Sequence, residues 1–201
     1  MSGHQSPDPD SREPADPAAV PTGSGRRARL LLVGLAAGSV LLDQVTKQLT
    51  VAHLAGPDAE PVRLLGGALY LVHTTNSGAA FSFGSSYTWV FPLVAFAVIG
   101  WIGWMTRRLR STLWAVALGL VLGGATGNLV DRLFREPGPF RGAVVDMISV
   151  FAPDGSVFPV FNLADSSLVL GVLLAVWLEL TGRRRDGTRV TSRPTPAERG
   201  G

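Results

Sequence analysis

The chain has 201 residues, 46% of them hydrophobic and only 16% charged, with a formal net charge of +3 at pH 7. That balance is too apolar for an ordinary water-soluble domain and places the chain among membrane proteins. It contains no cysteine, which excludes disulfides, zinc–thiolate sites and cysteine nucleophiles. A pI near 10.2 invites a nucleic-acid reading. However, 17 of the 18 basic residues are Arg, and nine of these form three short clusters flanking apolar runs. Charge so placed sets membrane topology rather than a phosphate-binding face, so no nucleic-acid partner is expected.

Residues 1–25 are rich in Pro, Asp, Ser, Gly and Ala. They bury too little surface to offset the entropy of ordering, which predicts a disordered tail. The layout is not that of a cleavable signal peptide, because the apolar run begins only after Arg26, Arg27 and Arg29. The domain proper is expected over 26–182, as a membrane bundle of four transmembrane helices with a small extracytoplasmic β element. The first span, about 28–51, is uncharged from Leu30 to Leu42 and then carries Asp43 and Lys47. The β-rich, Gly-punctuated stretch from Pro61 to His73 predicts short strands resting at the membrane surface. The second span, about 87–106, lies in a segment without Asp, Glu, Lys or Arg from Leu64 to Thr106, and the third, about 111–130, is uncharged throughout. The fourth, about 161–181, holds Asp165 near one end and Glu179 near the other. From Arg183 a basic, disordered C-terminal tail is expected. About 20 residues rising 1.5 Å each cross a roughly 30 Å hydrocarbon layer, so each span is long enough. Arginine clusters at 26–29, 107–110 and 183–185 share one side only if the chain crosses four times with both termini cytoplasmic.

Polar residues inside such a bundle need partners or a task. Asp43 and Lys47 stand i, i+4 on one helix face, as an ion pair at the interface with Lys47 snorkelling toward water. Lys47 is the sole lysine, and an Asp one turn away keeps it protonated, which argues against a Ser–Lys peptidase. Asn76-Ser77-Gly78-Ala79-Ala80-Phe81-Ser82 reads locally as a turn leading into the second span. Gly123 and Gly127 form a small-xxx-small pattern that lets a neighbouring helix pack closely, ahead of Asn128, Asp131 and Arg132. Val144-Val145-Asp146-Met147-Ile148 carries a carboxylate with no adjacent cation, and Phe161-Asn162-Leu163-Ala164-Asp165-Ser166 carries another beside the last apolar run. Asp165 taken alone is a fair helix N-cap, as are its neighbours. On the four-span topology, though, Asp43, Asn76, Asn128, Asp131, Arg132, Asp146, Asn162 and Asp165 all reach the outer boundary together.

One-sided clustering of this kind reads as a site. With no thiol and no well-placed His, its acid–base chemistry falls to aspartates. Two carboxyls within hydrogen-bond reach do not readily both ionise, so one keeps a proton while the other is a base, the arrangement that activates water for amide hydrolysis. Residue patterns leave both Asp146 and Asp131 open as the partner of Asp165. A metal held by the carboxylates is the competing use, disfavoured by the lack of a placed His and by the nearby Arg132.

These five blocks, in this order and over roughly residues 28–182, resemble the lipoprotein signal peptidases (signal peptidase II), aspartic proteases of bacterial membranes. The resemblance implies that Asp146 and Asp165 are the catalytic pair. It further implies that Asp43, Lys47, Asn76, Gly78, Asn128, Arg132, Asn162 and Ala164 shape or line the substrate site, with Asp131 in support. Its substrates would be prolipoproteins carrying diacylglycerol on the lipobox cysteine, cleaved just before that cysteine at the outer leaflet of the cytoplasmic membrane. The expected partners are those signal peptides and membrane lipids, the expected state is a monomer, no cofactor or metal is implied, and globomycin is the family's inhibitor. Met147 departs from the Phe more usual after the first aspartate. Two rivals stand beside this reading. A proton-coupled transporter would show internal repeats and a midplane site, neither of which the sequence has. A non-catalytic peptide- or lipid-binding scaffold would tolerate loss of either carboxylate.

Overall fold

The computed structural model describes residues 24–78 and 88–190. The expected N-terminal tail up to residue 23, Ala79 to Ser82 of the small-residue motif, the second span's start at Tyr87 and the tail from residue 191 lie outside the described residues. Among the described residues, four helices are long and apolar enough to cross a membrane. They are α1 (Ser24–Leu54), α2 (Val90–Met105, extended by a 3-10 turn to Arg108), α3 (Thr112–Phe134) and α4 (Leu163–Leu180).

Burial singles out α3 as the central element: 56% of its apolar stretch is buried inside the protein, against 17–22% for the other three helices. Its small residues are the cause. A Cβ on Gly119 would stand 2.9 Å from the Leu32 carbonyl, and one on Gly123 would stand 3.0 Å from that of Ala36, so α1 lies directly on the α3 backbone. On the opposite side Gly124 faces Ala164 and Leu168 of α4, and Gly171 of α4 faces the Ala117 carbonyl. In lipid, where apolar burial drives little association, such backbone proximity is what holds helices together. The expected Gly123/Gly127 pattern does lie against a neighbouring helix: Gly119 and Gly123 face the α1 backbone, and a Cβ on Gly127 would meet the Asp43 carboxylate of α1 at 2.8 Å.

The buried apolar cluster, including Leu32, Ile102, Leu109, Trp114, Leu118 and Leu178, lies toward the arginine-bearing helix ends. Buried polar residues gather at the other end. There α3 runs a turn past its expected end at Val130, so Asn128, Asp131 and Arg132 sit on the helix rather than at its exit. The helix persists because Asp131 and Arg132 find buried partners, and it stops at Arg135, whose N–H bonds the Asp131 carbonyl, two residues before Pro137.

A three-stranded antiparallel sheet caps this end, in the order β1 (Val62–Leu64), β2 (Leu69–Asn76), β3 (Val144–Val150). The first two strands fall in the expected segment; β3, which carries Asp146, was not foreseen as a strand. It pairs with β2 from Leu69↔Val150 to Asn76↔Val144, with an irregularity that leaves Thr74 opposite Asp146. Its free edge takes Phe161, whose N–H and carbonyl both bond Ile148 at 3.0 and 2.8 Å. That bridge delivers the start of α4 to the strand bearing Asp146.

After α4 the chain does not leave at once. Residues 183–190, expected to begin the tail, turn back on the start of α3. Arg110 and Ser111 N–H groups bond the Arg185 carbonyl at 2.9 and 3.0 Å, and the Trp114 indole N–H bonds that of Arg183 at 2.7 Å. Gly182, at φ 67°, allows the reversal.

Packing through glycine makes a direct prediction. Gly124→Val, forced against the Ala164 carbonyl, is expected to lower stability by ~2–4 kcal/mol. Gly34→Ala, where a Cβ meets nothing within 4 Å, is expected to be neutral or to gain up to about 1 kcal/mol. Thermal unfolding of both variants in detergent checks this.

Candidate active site

Deepest in the polar end lies Lys47, fully buried. It does not snorkel, as the sequence reading expected. An ammonium has three donors and no acceptor. Here it meets three acceptors: Asp43 Oδ2 at 2.8 Å, Asp131 Oδ2 at 2.9 Å and Asn128 Oδ1 at 3.0 Å. The i, i+4 pair is thus real, but it is one arm of a network joining α1 to α3. Other oxygens of the two carboxylates are also engaged. Asp43 Oδ1 accepts the Ala164 N–H at the start of α4 at 2.9 Å, and Asp131 accepts Arg135 Nε–H at 2.7 Å and the Val145 N–H at 3.2 Å. The Gln44 amide nitrogen bridges Asp43, the Gly127 carbonyl and Asp131 at 3.1–3.3 Å.

This network orients two asparagines. Because Lys47 only donates, the Asn128 oxygen must face it, which turns the Asn128 NH₂ group outward, 2.7 Å from Asp165 Oδ1. Asn162 is the N-cap of α4, and its oxygen accepts the Asp165 N–H at 2.9 Å. Its NH₂ group therefore points the other way, to Asp146 Oδ1 at 2.7 Å and Asn128 Oδ1 at 3.1 Å. Asp165 Oδ2 returns a capping-box bond to the Asn162 N–H at 3.1 Å. Asp165 is thus both a helix-capping residue and the carboxylate that Asn128 holds. The N-cap itself is Asn162, one of the candidate neighbours, and not Asp165, which completes the capping box from the third helical position.

Asp146 is only 3% exposed, on the strand rather than on a helix. Burial pushes its carboxyl up to about 6, and the neighbouring Asp165 charge adds to the rise; bonds from Asn162 and Asn76 and the Lys47 charge oppose it. Met147, buried beside it, projects to the other strand face, so the departure from Phe does not lie under the carboxylate. Asn76 also accepts the Gly78 N–H at 2.8 Å. Gly78 takes φ 91°, and a Cβ there would stand 2.6 Å from the Phe91 ring, so the position requires glycine on two counts. Arg132 donates to the Gly142 carbonyl at 3.1 Å and lies over the Phe91 ring at 5.2 Å, in electrostatic range of both Asp146 and Asp165. Beside these residues opens a cavity of about 440 Å³. Asn76, Asn128, Arg132 and Asp165 form its polar end, and Phe91, Val98, Leu129 and Leu168 its apolar wall. Among the described residues no group of three His, Cys, Asp or Glu is arranged to hold a metal ion.

The family model for signal peptidase II matches residues 35–181. The chain belongs to the signal peptidase II family. It is 49% identical over 185 residues to the lipoprotein signal peptidase of Mycolicibacterium smegmatis, covering 89% of this chain and 72% of that protein. Against the lipoprotein signal peptidase of Mycobacterium avium it is 52% identical over 157 residues, covering 78% and 82%. Against that of Streptomyces coelicolor it is 48% identical over 164 residues, covering 82% and 77%. Two solved bacterial membrane enzymes, determined by the in meso method at 1.9 and 2.3 Å, each superpose with a TM-score of 0.63. They are 28% and 26% identical, over 74% and 82% of this chain and 92% and 93% of theirs. Like other signal peptidase II members, the chain is a membrane peptidase, and the four-helix, three-strand fold is the one those structures share.

Every site residue expected from the sequence stands in this polar end of the peptidase, around Lys47, the two asparagines or the cavity. Two participants were missed. Gln44, between Asp43 and Lys47, was given no role, although a second polar residue in an apolar run was itself a signal. Arg135 lies i+4 from Asp131, the same spacing that marked Asp43 and Lys47.

Lys47→Met would strand two buried carboxylates, with an expected loss of ~3–5 kcal/mol. The triple variant Asp43→Asn/Lys47→Met/Asp131→Asn should recover at least about half of that in thermal unfolding. Asp146 makes a pH-dependent prediction. Its folded carboxyl holds a proton more tightly than the ordinary value of 3.8, up to about 6, so wild-type stability falls as pH rises through that window. Asp146→Asn escapes the penalty, and its stability relative to wild type should grow by up to about 3 kcal/mol between pH 4 and pH 6.5, then level off. Melting curves of the two proteins across that pH range test it.

Proposed function

We propose that this chain is an aspartic endopeptidase that removes signal peptides from diacylglyceryl-modified prolipoproteins, cleaving before the lipid-bearing cysteine. It does so in the bacterial cytoplasmic membrane as a monomer, with both termini cytoplasmic and its site near the outer leaflet. The single observation that carries this reading is the pair of carboxyls, Asp146 and Asp165, each held at 2.7 Å by its own asparagine amide. The Asp146 carboxyl is raised to about 6, so it holds a proton much nearer neutrality than an ordinary carboxylate does, which suits a pair that works as acid and base together. Asp131, the competing partner on sequence grounds, is engaged by Lys47, Arg135 and the Val145 N–H. That engagement supports the resemblance's choice of Asp146.

In this mechanism the ionised carboxylate of the pair takes a proton from a water molecule as its oxygen attacks the carbonyl carbon preceding the cysteine. The protonated carboxyl donates to the carbonyl oxygen, giving a tetrahedral gem-diol. Collapse breaks the C–N bond as the cysteine nitrogen takes a proton from the pair and a gem-diol hydroxyl returns one to it, so the pair again holds one proton and the new carboxyl leaves on the signal peptide. Arg132 and the asparagine amides supply positive edges around the developing charge. The apolar cavity wall suits an acyl chain or the signal helix, and globomycin would compete at the same place.

Asp146→Asn and Asp165→Asn are each expected to reduce cleavage by at least about a thousandfold while the protein stays folded. The readout is a gel-shift assay on a diacylated precursor peptide. Near-wild-type processing by either variant would sink the dyad, and binding without any dependence on the carboxyls would favour the scaffold reading.

A further inference from the structure

At the helix ends opposite the proposed peptidase site lies a second, larger cavity of about 660 Å³. Its size falls within the roughly 300–1,000 Å³ of small-ligand sites. Three separate segments build it: the end of α2, the end of α4 and the turn that follows α4. Arg107 and Arg108 come from the first, Glu179 from the second, and Arg184, Arg185 and Asp186 from the third. The four guanidinium groups outnumber the two carboxylates; Arg184 acts on the Asp186 charge without closing to an ion pair, and the excess of positive charge remains. Ion pairs among the described residues join Lys47 to Asp43 and Asp131, and Arg135 to Asp131, so none involves a cavity arginine. The Asp186 carboxylate is occupied by its own turn, accepting the Thr188 N–H at 2.9 Å and hydroxyl at 2.7 Å. Arg185 lies over the Trp114 ring at 5.5 Å, and its carbonyl is held by Arg110 and Ser111, which fixes the turn carrying two of the arginines.

The depth of this cavity can be read from its surroundings. Trp104, which also lines it, is 63% exposed, and Leu180 at the end of α4 is 82% exposed. Apolar residues that bare sit among acyl chains, with a Trp belt at headgroup level and arginines beyond it. On the topology proposed above this is the cytoplasmic leaflet. Un-neutralised guanidinium groups converging at that depth match a phosphate oxyanion in charge and geometry.

We infer that this cavity is a binding site for the phosphate group of an anionic phospholipid. The lipid phosphate is held by Arg107, Arg108 and Arg184, and its glycerol region lies against Trp104. The site is independent of the peptidase centre, because it is assembled from the other ends of the same helices.

The test uses the full chain purified in a maltoside detergent and native mass spectrometry with phosphatidylglycerol and phosphatidylcholine. One phosphatidylglycerol should be retained in preference to phosphatidylcholine. Arg107→Gln/Arg184→Gln, both exposed positions, should weaken retention by about tenfold or more, with an unchanged melting temperature. Arg26→Gln/Arg27→Gln, exposed arginines of α1 that do not line the cavity, should leave retention within about twofold. Should the first pair unfold, Arg184→Gln alone carries the test. Equal loss in both pairs would mean diffuse surface charge and overturn the site. Equal retention of phosphatidylcholine, or displacement of the lipid by millimolar inorganic phosphate, would overturn the lipid assignment, the latter in favour of soluble phosphate.

Discussion

A buried ammonium with three donors and three acceptors is the constraint on which the polar end of this protein depends. Lys47 has no access to water, so all three of its protons must be received by protein atoms. Asp43, Asp131 and Asn128 receive them. Two of these residues lie on α3 and one on α1, so the requirement fixes the rotation of one helix against the other. The second oxygen of Asp43 then takes the Ala164 N–H of α4, and the Asp131 oxygen that receives Lys47 also takes the Val145 N–H of β3. One cation thereby sets the positions of four elements, and glycines on α3 let the helices come close enough for it to do so.

Orientation follows from the same constraint. An isolated asparagine amide has two nearly equivalent settings, but Asn128 has only one beside a group that cannot accept. The Asn162 amide is likewise fixed, because its oxygen caps the N–H of Asp165. Both amides therefore present N–H groups to carboxyl oxygens. Each aspartate of the proposed pair is held by a group whose direction is determined elsewhere, which keeps the pair preorganised. Helix capping and the proposed catalysis draw on one geometry here: the capping box that starts α4 also aims Asp165.

How much of this was legible in the sequence differs by element, for physical reasons. The four spans were read from apolar length alone, and burial of a backbone in lipid leaves few alternatives to a helix. The two strands around Tyr70 were visible through Gly-bounded β-rich segments. The strand β3 was not, because Val144–Val150 is buried along most of its length and shows no polar alternation to read. The end of α3 was misplaced because charged residues ordinarily end a span, whereas here Lys47, Val145 and Gly142, ten or more residues away in the chain, retain Asp131 and Arg132, and of their partners only Arg135 stands at a local spacing. Lys47 was expected to reach water for the same reason: its spacing from Asp43 showed one partner, but not the two on another helix. The choice of Asp146 over Asp131 could not be made from residue types at all. It becomes arguable only when Asp131 is seen with its oxygens already engaged.

The division of labour between strand and helix also explains why a bundle this small needs a sheet. Two carboxyls proposed to share a proton must be held at a fixed separation. Two helices that meet only through side chains tolerate sliding along their axes. Here one carboxyl is on β3 and the other in the first turn of α4, and the Phe161 bridge to Ile148 joins the two by main-chain bonds. Because Phe161 immediately precedes the N-cap, any shift of α4 along its axis would have to break that bridge or the capping box. The separation of Asp146 and Asp165 is therefore controlled by backbone hydrogen bonds rather than by helix packing. The helices remain free to present mostly apolar, lipid-facing surfaces on α1, α2 and α4, through which a membrane-anchored substrate could approach without disturbing the pair.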